Sequence, residues 1–433
     1  PGFWLSFLGV AWLMWCLPDA HEAGLLRSFL HAQGVAMLGL LPLTVWFFSQ
    51  ASLAGVLVNL VGIPWISLGV VPLAVLGLLA APLSTAAADT LWRLAAWLMD
   101  VLWSGLERIA ESPLSLLWLP EPSLPILLLA LLGAFWLLLP RGVPGKPLAA
   151  VLLLPLLWPA QDRPAHGEAD LVMLDVGQGS SVLIRTRGHA LLFDAGPAAP
   201  HGLDMGEAAV LPALRSLGVL RLDALLVSHG HNDHSGGVGA IRRELPVAST
   251  RAPEGWPLAD ASLCQREQSW EWDGVRFRIL HPPPLYPYMG NDSSCVLRVE
   301  AAGASALLPG DIGRHVEARL LKEQPAALPA EVLVVPHHGS PTSSSAPFVA
   351  AVAPQLALFG VGSNNRFDLP RDEIVARYRE VGSTLLDSAG SGMVRVRLGA
   401  GGAELRERYR FDHPRYWRPA EALAVGDAAG SGG

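Results

Sequence analysis

"SHGHNDHSGG" (residues 228–237) follows directly on the apolar run "LDALLV" (222–227), so three histidines and an aspartate fall within six positions at the end of a strand. Side chains two apart in an extended chain lie on the same side, and His229 and His231 can therefore present two imidazole nitrogens to one ion. Asn232, Asp233 and His234 come at a turn before a helix that starts near Ser235, and the turn carries Asp233 and His234 round to a second, neighbouring position. Two ions placed so close can share one activated water. Gly236 and Gly237 permit the close backbone approach this requires. A solvated loop would account for one or two histidines; this density at a strand end points to metal.

Two further strand ends supply what the motif lacks. "ALLPGD" ends in Asp311, and "EVLVVPHHGS" ends in His337 and His338, followed by Gly339 and Ser340. A lone strand-end aspartate reads as a turn or cap residue. Beside a histidine cluster it reads as a carboxylate bridging two ions.

The first third of the chain has a different texture. Of 31 basic residues only Arg27, Arg93, Arg108, Arg141 and Lys146 precede position 162, in a chain that is 51% hydrophobic. That asymmetry marks lipid. "GFWLSFLGVAWLMWCL" (2–17) is short for a full span, and "VAMLGLLPLTVWFF" (35–48) follows it. Residues 51–83 then carry no charge over 33 positions, with Asn59, Pro64 and Pro72 inside, so two broken or re-entrant segments are expected there, the alternative being a Pro-kinked pair of packed helices. Residues 88–111 place Arg93, Asp100, Glu107 and Arg108 among apolar residues at helical spacing, as in an interfacial or partner-facing helix. Two short spans, 124–140 and 148–159, flank a loop holding Arg141 and Lys146, which assigns that loop to the cytoplasm and the following domain to the other face. The chain opens on Pro1 without the basic segment of a signal peptide and reads as part of something longer.

Residues 1–159 are thus expected to form a membrane region, 160–169 a linker, 170–412 a soluble domain and 413–433 a flexible tail. In the soluble part, hairpin strands come first and then alternate with helices, the pattern of a layered α/β or α+β sandwich. A net charge of −7 excludes a globally basic nucleic-acid binder, so a polyanion must be met locally. Seven arginines lie between 395 and 418, with Tyr409, Tyr416 and Trp417 among them. They read first as a charge-guarded edge strand paired with Glu404, Glu407 and Asp412, and second as a track for single-stranded DNA. Cys16, Cys264 and Cys295 form no zinc spacing, and their odd number does not predict a disulfide framework.

"SHGHNDHSGG", "LLFDAG", "LLPGD" and "VVPHHGS" resemble the successive motifs of the metallo-β-lactamase fold. More narrowly, "MLDVGQG", "NDSSCVLRV", "GDIGRHVEARLL" and "NNRFDLP", together with "PGFWLSFLGV" and "VNLVGIPW", resemble the ComEC family of DNA-internalisation proteins. The resemblance implies an N-terminal all-α polytopic membrane region followed by an α+β metallo-β-lactamase-like αββα sandwich. It implies a multi-pass protein of the bacterial inner (plasma) membrane with the hydrolase domain on the periplasmic or outer face. Its partners would be single- or double-stranded DNA, membrane lipid, a DNA receptor and a cytoplasmic motor of the competence machinery, and further copies of the chain.

Carried over by residue, the resemblance implies two divalent ions, zinc or manganese with magnesium allowed, held by His229, His231, Asp233, His234, Asp311 and His338, with His337 as the other candidate for the last place. Asp233, His234 and Asp311 would carry the chemistry. Asp194 of "LLFDAG" would orient the first histidines, while Ser340 and Asn365 are candidates for touching phosphate. Three positions depart from the family. Asn291 stands where a third-motif histidine is usual and is a poorer ligand for zinc than for manganese or magnesium; Ser180 replaces an aspartate, and Leu369 a histidine. The resulting expectation is a DNA-uptake channel whose hydrolase domain degrades the strand not transported. The alternatives are a channel with a DNA-guiding domain that does not cut, and a membrane-tethered hydrolase of small phosphoesters or thioesters.

Overall fold

The computed structural model describes residues 2–16, 24–52, 54–112, 115–140, 142–200, 202–256, 258 and 260–414. The chain divides into two compact units, Pro1–Gln161 with Arg215–Gly218, and Asp162–Leu214 with Val219–Gly433. The tail expected at 413–433, with Arg415, Tyr416, Trp417 and Arg418, lies almost wholly outside the described residues.

The first unit is helical: α1 (Gly2–Cys16), α2 (Leu25–Phe48), α3 (Gly55–Ala80), α4 (Thr85–Ala110), α5 (Leu124–Leu138) and α6 (Lys146–Leu157). Arg27–Phe48 and Gly55–Ala80 are long and apolar enough to cross a membrane. The break expected between 51 and 83 does not occur. A short strand, β1 (Gln50–Ser52), pairs with β2 (Leu116–Trp118), after which α3 runs on past both prolines. Pro64 and Pro72 each withhold a backbone N–H, and the π-helical turn Ile66–Val70 lies between them, so the change of register is absorbed without ending the helix. Antiparallel α4 is fixed to α3 by two indole donors, Trp65 Nε1 to the Leu98 carbonyl at 3.0 Å and Trp92 Nε1 to that of Ala74 at 3.2 Å. Small residues bring α5 and α6 together: a Cβ on Gly133 would lie 2.8 Å from the Ala149 carbonyl. Lys146 donates to the carbonyls of Trp136, Leu137 and Leu139, closing the C-terminus of α5 with a positive charge. Arg141, the other charge used above to orient the loop, is outside the described residues.

The second unit is an αββα sandwich. Strands β3 (Ala169–Met173), β4 (Val182–Arg185), β5 (Ala190–Phe193), β6 (Ala224–Leu226), β7 (Thr250–Ala252) and β8 (Ser262–Leu263) begin one sheet. The other holds β9 (Ser269–Trp272), β10 (Val275–His281), β11 (Val296–Glu300), β12 (Ser305–Leu308), β13 (Val332–Val334), β14 (Leu356–Phe359) and β15 (Thr384–Asp387). The chain then returns to the first sheet with β16 (Val394–Gly399) and β17 (Gly402–Arg408), giving the orders 17-16-3-4-5-6-7-8 and 15-14-13-12-11-10-9. In each sheet the hairpin strands are antiparallel, whereas β5–β8 and β12–β15 run parallel.

Period-two alternation decides what each strand faces. Ala306, Leu308, Val332, Val334 and Leu358 join Leu171, Ile184, Phe193 and Phe277 between the sheets. Leu307, Leu333, Ala357 and Phe359 point the other way, onto Val316 and Leu320 of α9 (Arg314–Glu323), Phe348 of α10 (Ala346–Val352), and Ile374 and Tyr378 of α11 (Asp372–Glu380). Two shorter helices, α7 (Asn232–Ser235) and α8 (Val238–Glu244), follow β6. Strands buried on both faces are why the sequence reads there as near-continuous apolar runs.

The arginine stripe is not a free track. Arg395 and Arg397 lie on β16, an inner strand, and close on the buried Asp170 and on Asp162. Arg410 pairs with Asp175, Arg406 with Glu404, and Arg408 stacks on Phe411. Most partners come from residues 162–175, far upstream of the local acids expected from the sequence. Cys264 and Cys295 are joined in a disulfide, with Cys16 the free thiol. The odd count misled because the third cysteine belongs to the other unit.

Candidate metal centre

The parallel strands deliver the site. Asp194 follows β5, His229 follows β6, Asp311 follows β12, and His337 and His338 follow β13, so the C-terminal ends of both sheets converge on one point. Asp233, His234, Asp311 and His338 form one cluster, with a donor atom of each within 4.8 Å of the others. His234 Nε2 lies 3.1 Å from Asp311 Oδ1 and 3.1 Å from His338 Nε2, and His338 Nε2 lies 3.5 Å from Asp233 Oδ2. The second oxygen of Asp311 lies 3.7 Å from His337 Nε2. His229 stands against His231 with ring centres 4.6 Å apart; His229 is buried, His231 exposed.

The hydrogen-bond network sets the tautomers. Ser228 donates its N–H to Asp194 Oδ1 at 2.7 Å and its hydroxyl to Oδ2 at 2.9 Å, and His234 Nδ1 donates to Oδ2 at 2.7 Å. The Ser228 hydroxyl proton being so placed, its oxygen accepts from His229 Nδ1 at 3.1 Å. Both imidazoles therefore turn Nε2 towards the site. Asp194 holds His234 directly and His229 only through Ser228, rather than orienting the first two histidines itself. Ser294 completes the frame: its hydroxyl donates to the Asn291 carbonyl at 2.7 Å and accepts the Asp311 N–H at 3.1 Å. Neither serine was singled out by the sequence reading, although Ser228 opens the histidine motif and Ser294 lies within "NDSSCVLRV".

Two buried polar atoms here have no hydrogen-bond partner, His229 Nε2 and Asn291 Oδ1. An unsatisfied buried acceptor is costly, and both belong to residues around Asp311. Imidazole, carboxylate and amide oxygen are all metal donors, so the residues present fit a pair of divalent ions. Charge agrees. Burial pushes His229 down to about 3 and so keeps it neutral. Burial also opposes the charged form of His234, yet the carboxylates of Asp311 and Asp194 hold it well above the ordinary imidazole value. The centre is thus one in which positive charge is strongly favoured.

Backbone strain is concentrated in the last motif. His337 and His338 adopt φ of 50° and 55°, the left-handed region, and Gly339 follows at 81°. Such conformations cost about 1 kcal/mol or more each for residues with a Cβ; here they aim two adjacent imidazoles into one site. His337 Nδ1 meets the Thr342 hydroxyl at 2.9 Å, which in turn meets that of Ser340 at 3.0 Å. Asn291 Nδ2 donates to His337 Nε2 at 3.2 Å. Asn365 is differently engaged: its amide donates to the carbonyls of Gly362 and Leu369 and accepts the Leu369 N–H, bracing its own loop.

Residues 1–144 match the family model described as Competence protein, and residues 174–359 that of the metallo-β-lactamase superfamily. Competence protein ComA of Neisseria gonorrhoeae is 36% identical over 424 residues, which is 96% of this chain and 58% of that relative. ComE operon protein 3 of Bacillus subtilis is 27% identical, over 84% of this chain and 51% of that relative. The chain spans little more than half the length of these relatives. Among solved structures, the metallo-β-lactamase fold protein YhfI of Bacillus subtilis aligns with 52% of this chain and 99% of its own, at 13% identity and a TM-score of 0.36. With a competence segment leading into a metallo-β-lactamase domain, and relatives aligned across both, the chain is a homologue of the ComA and ComEC competence proteins.

Proposed function

We propose that this chain is the channel-and-hydrolase part of a DNA-uptake protein of the bacterial plasma membrane, and that its soluble domain hydrolyses phosphodiesters of the strand not carried across. The observation that carries this reading is the His/Asp centre with two orphaned buried donors, in a chain whose preceding segment matches the Competence protein model. One position would be held by Asp233, His234 and His338, the other by His229 and His231, with Asp311 between them. At the second position Asn291 Oδ1 would take part, and His337 would hold the Asn291 amide rather than ligate. Two divalent ions there would supply Lewis acidity and a nucleophile from water near neutral pH. An amide oxygen favours manganese or magnesium over zinc at that position.

The chain's own groups do the rest. Asp194 and Ser228 fix the imidazole tautomers, and the Asp233 carboxylate, partly exposed at the rim, is placed to accept a proton. The test is cleavage of end-labelled single-stranded DNA by the full chain in detergent with zinc, manganese or magnesium. Cleavage with at least one ion, lost in His231→Ala, is the expected result. Two bound ions per chain without cleavage by any of the three would instead favour a domain that guides DNA, a reading motivated by Asn291.

The disulfide supports an outward-facing hydrolase domain, because disulfides persist in oxidising compartments. Under denaturing, non-reducing conditions a maleimide reagent is expected to modify one thiol per chain, Cys16, and after reduction all three cysteines. Three modified thiols before reduction would remove this support.

A further inference from the structure

Beside the histidine loop lies a cleft of about 490 Å³, lined by Ser235, Val238, Arg242, Arg243, Trp256 and Leu258. It belongs to the same loop as the metal centre. Ser235 directly follows His234 and donates its hydroxyl to the carbonyls of Gly230 and His231. Trp256 packs on that loop's backbone: a Cβ on Gly230 would lie 2.4 Å from its Cδ1 and 2.6 Å from the Tyr288 hydroxyl. The Gly230 N–H donates to that hydroxyl at 2.9 Å. Position 230 must therefore be glycine for a reason separate from metal spacing, since a side chain would push the indole off the loop.

We propose that this cleft is a subsite for one nucleotide of a single DNA strand, with Trp256 stacking on the base and Arg243 meeting a flanking phosphate. The inference rests on the phosphodiester reading above and names where that substrate is held. An indole platform beside guanidinium groups suits a planar ring joined to an anion. Arg243 is 61% exposed in its side chain and has carboxylates only at the edge of ion-pair range, Glu207 at 3.9 Å and Glu244 at 4.0 Å. The net charge of −7 requires a polyanion to be met locally, and the arginines of β16 are committed to Asp170 and Asp162. A cleft of this size takes one nucleotide, and a base stacked face-on against an indole is out of a duplex stack, which selects a single strand.

The experiment measures binding, not cleavage. Phosphorothioate oligonucleotides, one bearing bases and one abasic, are titrated by anisotropy into the metal-loaded full chain in detergent. Wild type is expected to prefer the base-bearing strand by about 10- to 100-fold, the range expected for base stacking on an aromatic residue. Trp256→Ala should lose that preference while binding the abasic strand as before, and Trp256→Phe should keep most of it. Arg243→Ala should weaken both strands alike and lower the salt dependence by about one phosphate contact. Trp256→Ala that keeps the preference, or a wild type that shows none, overturns the proposal. Loss of affinity for both strands in Trp256→Ala together with loss of bound metal, when Trp256→Phe loses them too, assigns the indole a purely structural role and also overturns it. A failure of the nuclease reading would show as absent cleavage with the base preference intact.

Discussion

On the proposed two-ion phosphodiesterase reading, an Asp311→Ala chain is expected to bind less than one metal ion where the wild type would bind two, and to lose the proposed hydrolysis by about a thousandfold or more, equivalent to roughly 4 kcal/mol of transition-state stabilisation. The size follows from position. Asp311 is 3% exposed, its Oδ1 is 3.1 Å from His234 Nε2 of one half and its charge acts on His229 of the other, so one side chain serves both halves of the centre. Neighbouring charges hold its carboxyl well below the ordinary range, with His234 foremost, against a burial penalty that alone would raise it. Removing it leaves four imidazoles facing one another with Asp233 as the remaining carboxylate at the rim. The backbone is not at stake, because the Asp311 N–H to Ser294 Oγ bond survives truncation of the side chain. Ser340→Ala is the graded comparison: it reaches His337 only through Thr342, and His337 holds the Asn291 amide without ligating, so the cost should stay below the roughly tenfold expected for direct partners of metal ligands. Metal counted by mass spectrometry beside the rate separates the two. Two retained ions in Asp311→Ala would refute the bridging role.

What could be read from the sequence depended on how locally each feature is determined. His229, His231, Asp233 and His234 are placed by one strand end and one turn, so their spacing carried the reading. Asp311, His337 and His338 were accessible because each ends an apolar run with few alternatives. Asp194 was found, but not its target, because the contact with His234 spans 40 positions. Ser228 and Ser294 carry no chemical signature of their own; only the fold shows that one relays Asp194 to His229 and the other seats Asp311. Asn365 looked available because its loop conformation, which draws both amide protons inwards, is invisible to composition. In the helical unit, prolines 64 and 72 were weighted as breaks by local propensity, whereas a π turn let the helix continue. The arginines of β16 failed for the same reason as Asp194: their true partners precede them by more than 220 residues.

Those arginines set the second large effect. Asp170 is fully buried on β3, and three guanidinium groups converge on it: Arg185 at 2.8 Å, Arg395 at 2.8 Å and Arg397 at 2.7 Å. They arrive from β4 and β16, the two neighbours of β3, so the carboxylate ties three strands together at the start of the sandwich. Asp170→Ala is expected to destabilise the domain by about 3–5 kcal/mol, the cost of leaving buried cations without their counter-charge. Asp162, whose side chain is 65% exposed, touches two of the same arginines, yet Asp162→Ala should cost no more than about 1 kcal/mol because solvent screens it. Acid dependence gives the independent check. Burial would raise the Asp170 carboxyl, but the Arg397 hydrogen bond and the charges of Arg395 and Arg185 outweigh it and lower it from 3.8. A carboxyl lowered on folding stabilises fully above its unfolded value and loses that contribution as pH falls through the folded one. The gap in urea midpoint between wild type and Asp170→Asn should therefore stay constant from about pH 8 to pH 5 and narrow only below the unfolded value. Hydrogen exchange in β3 and β16, the strands the carboxylate joins, locates the loss. A gap that closes nearer neutrality would assign the stabilisation to another group, and one that never opens would mean the three arginines hold the strands without Asp170.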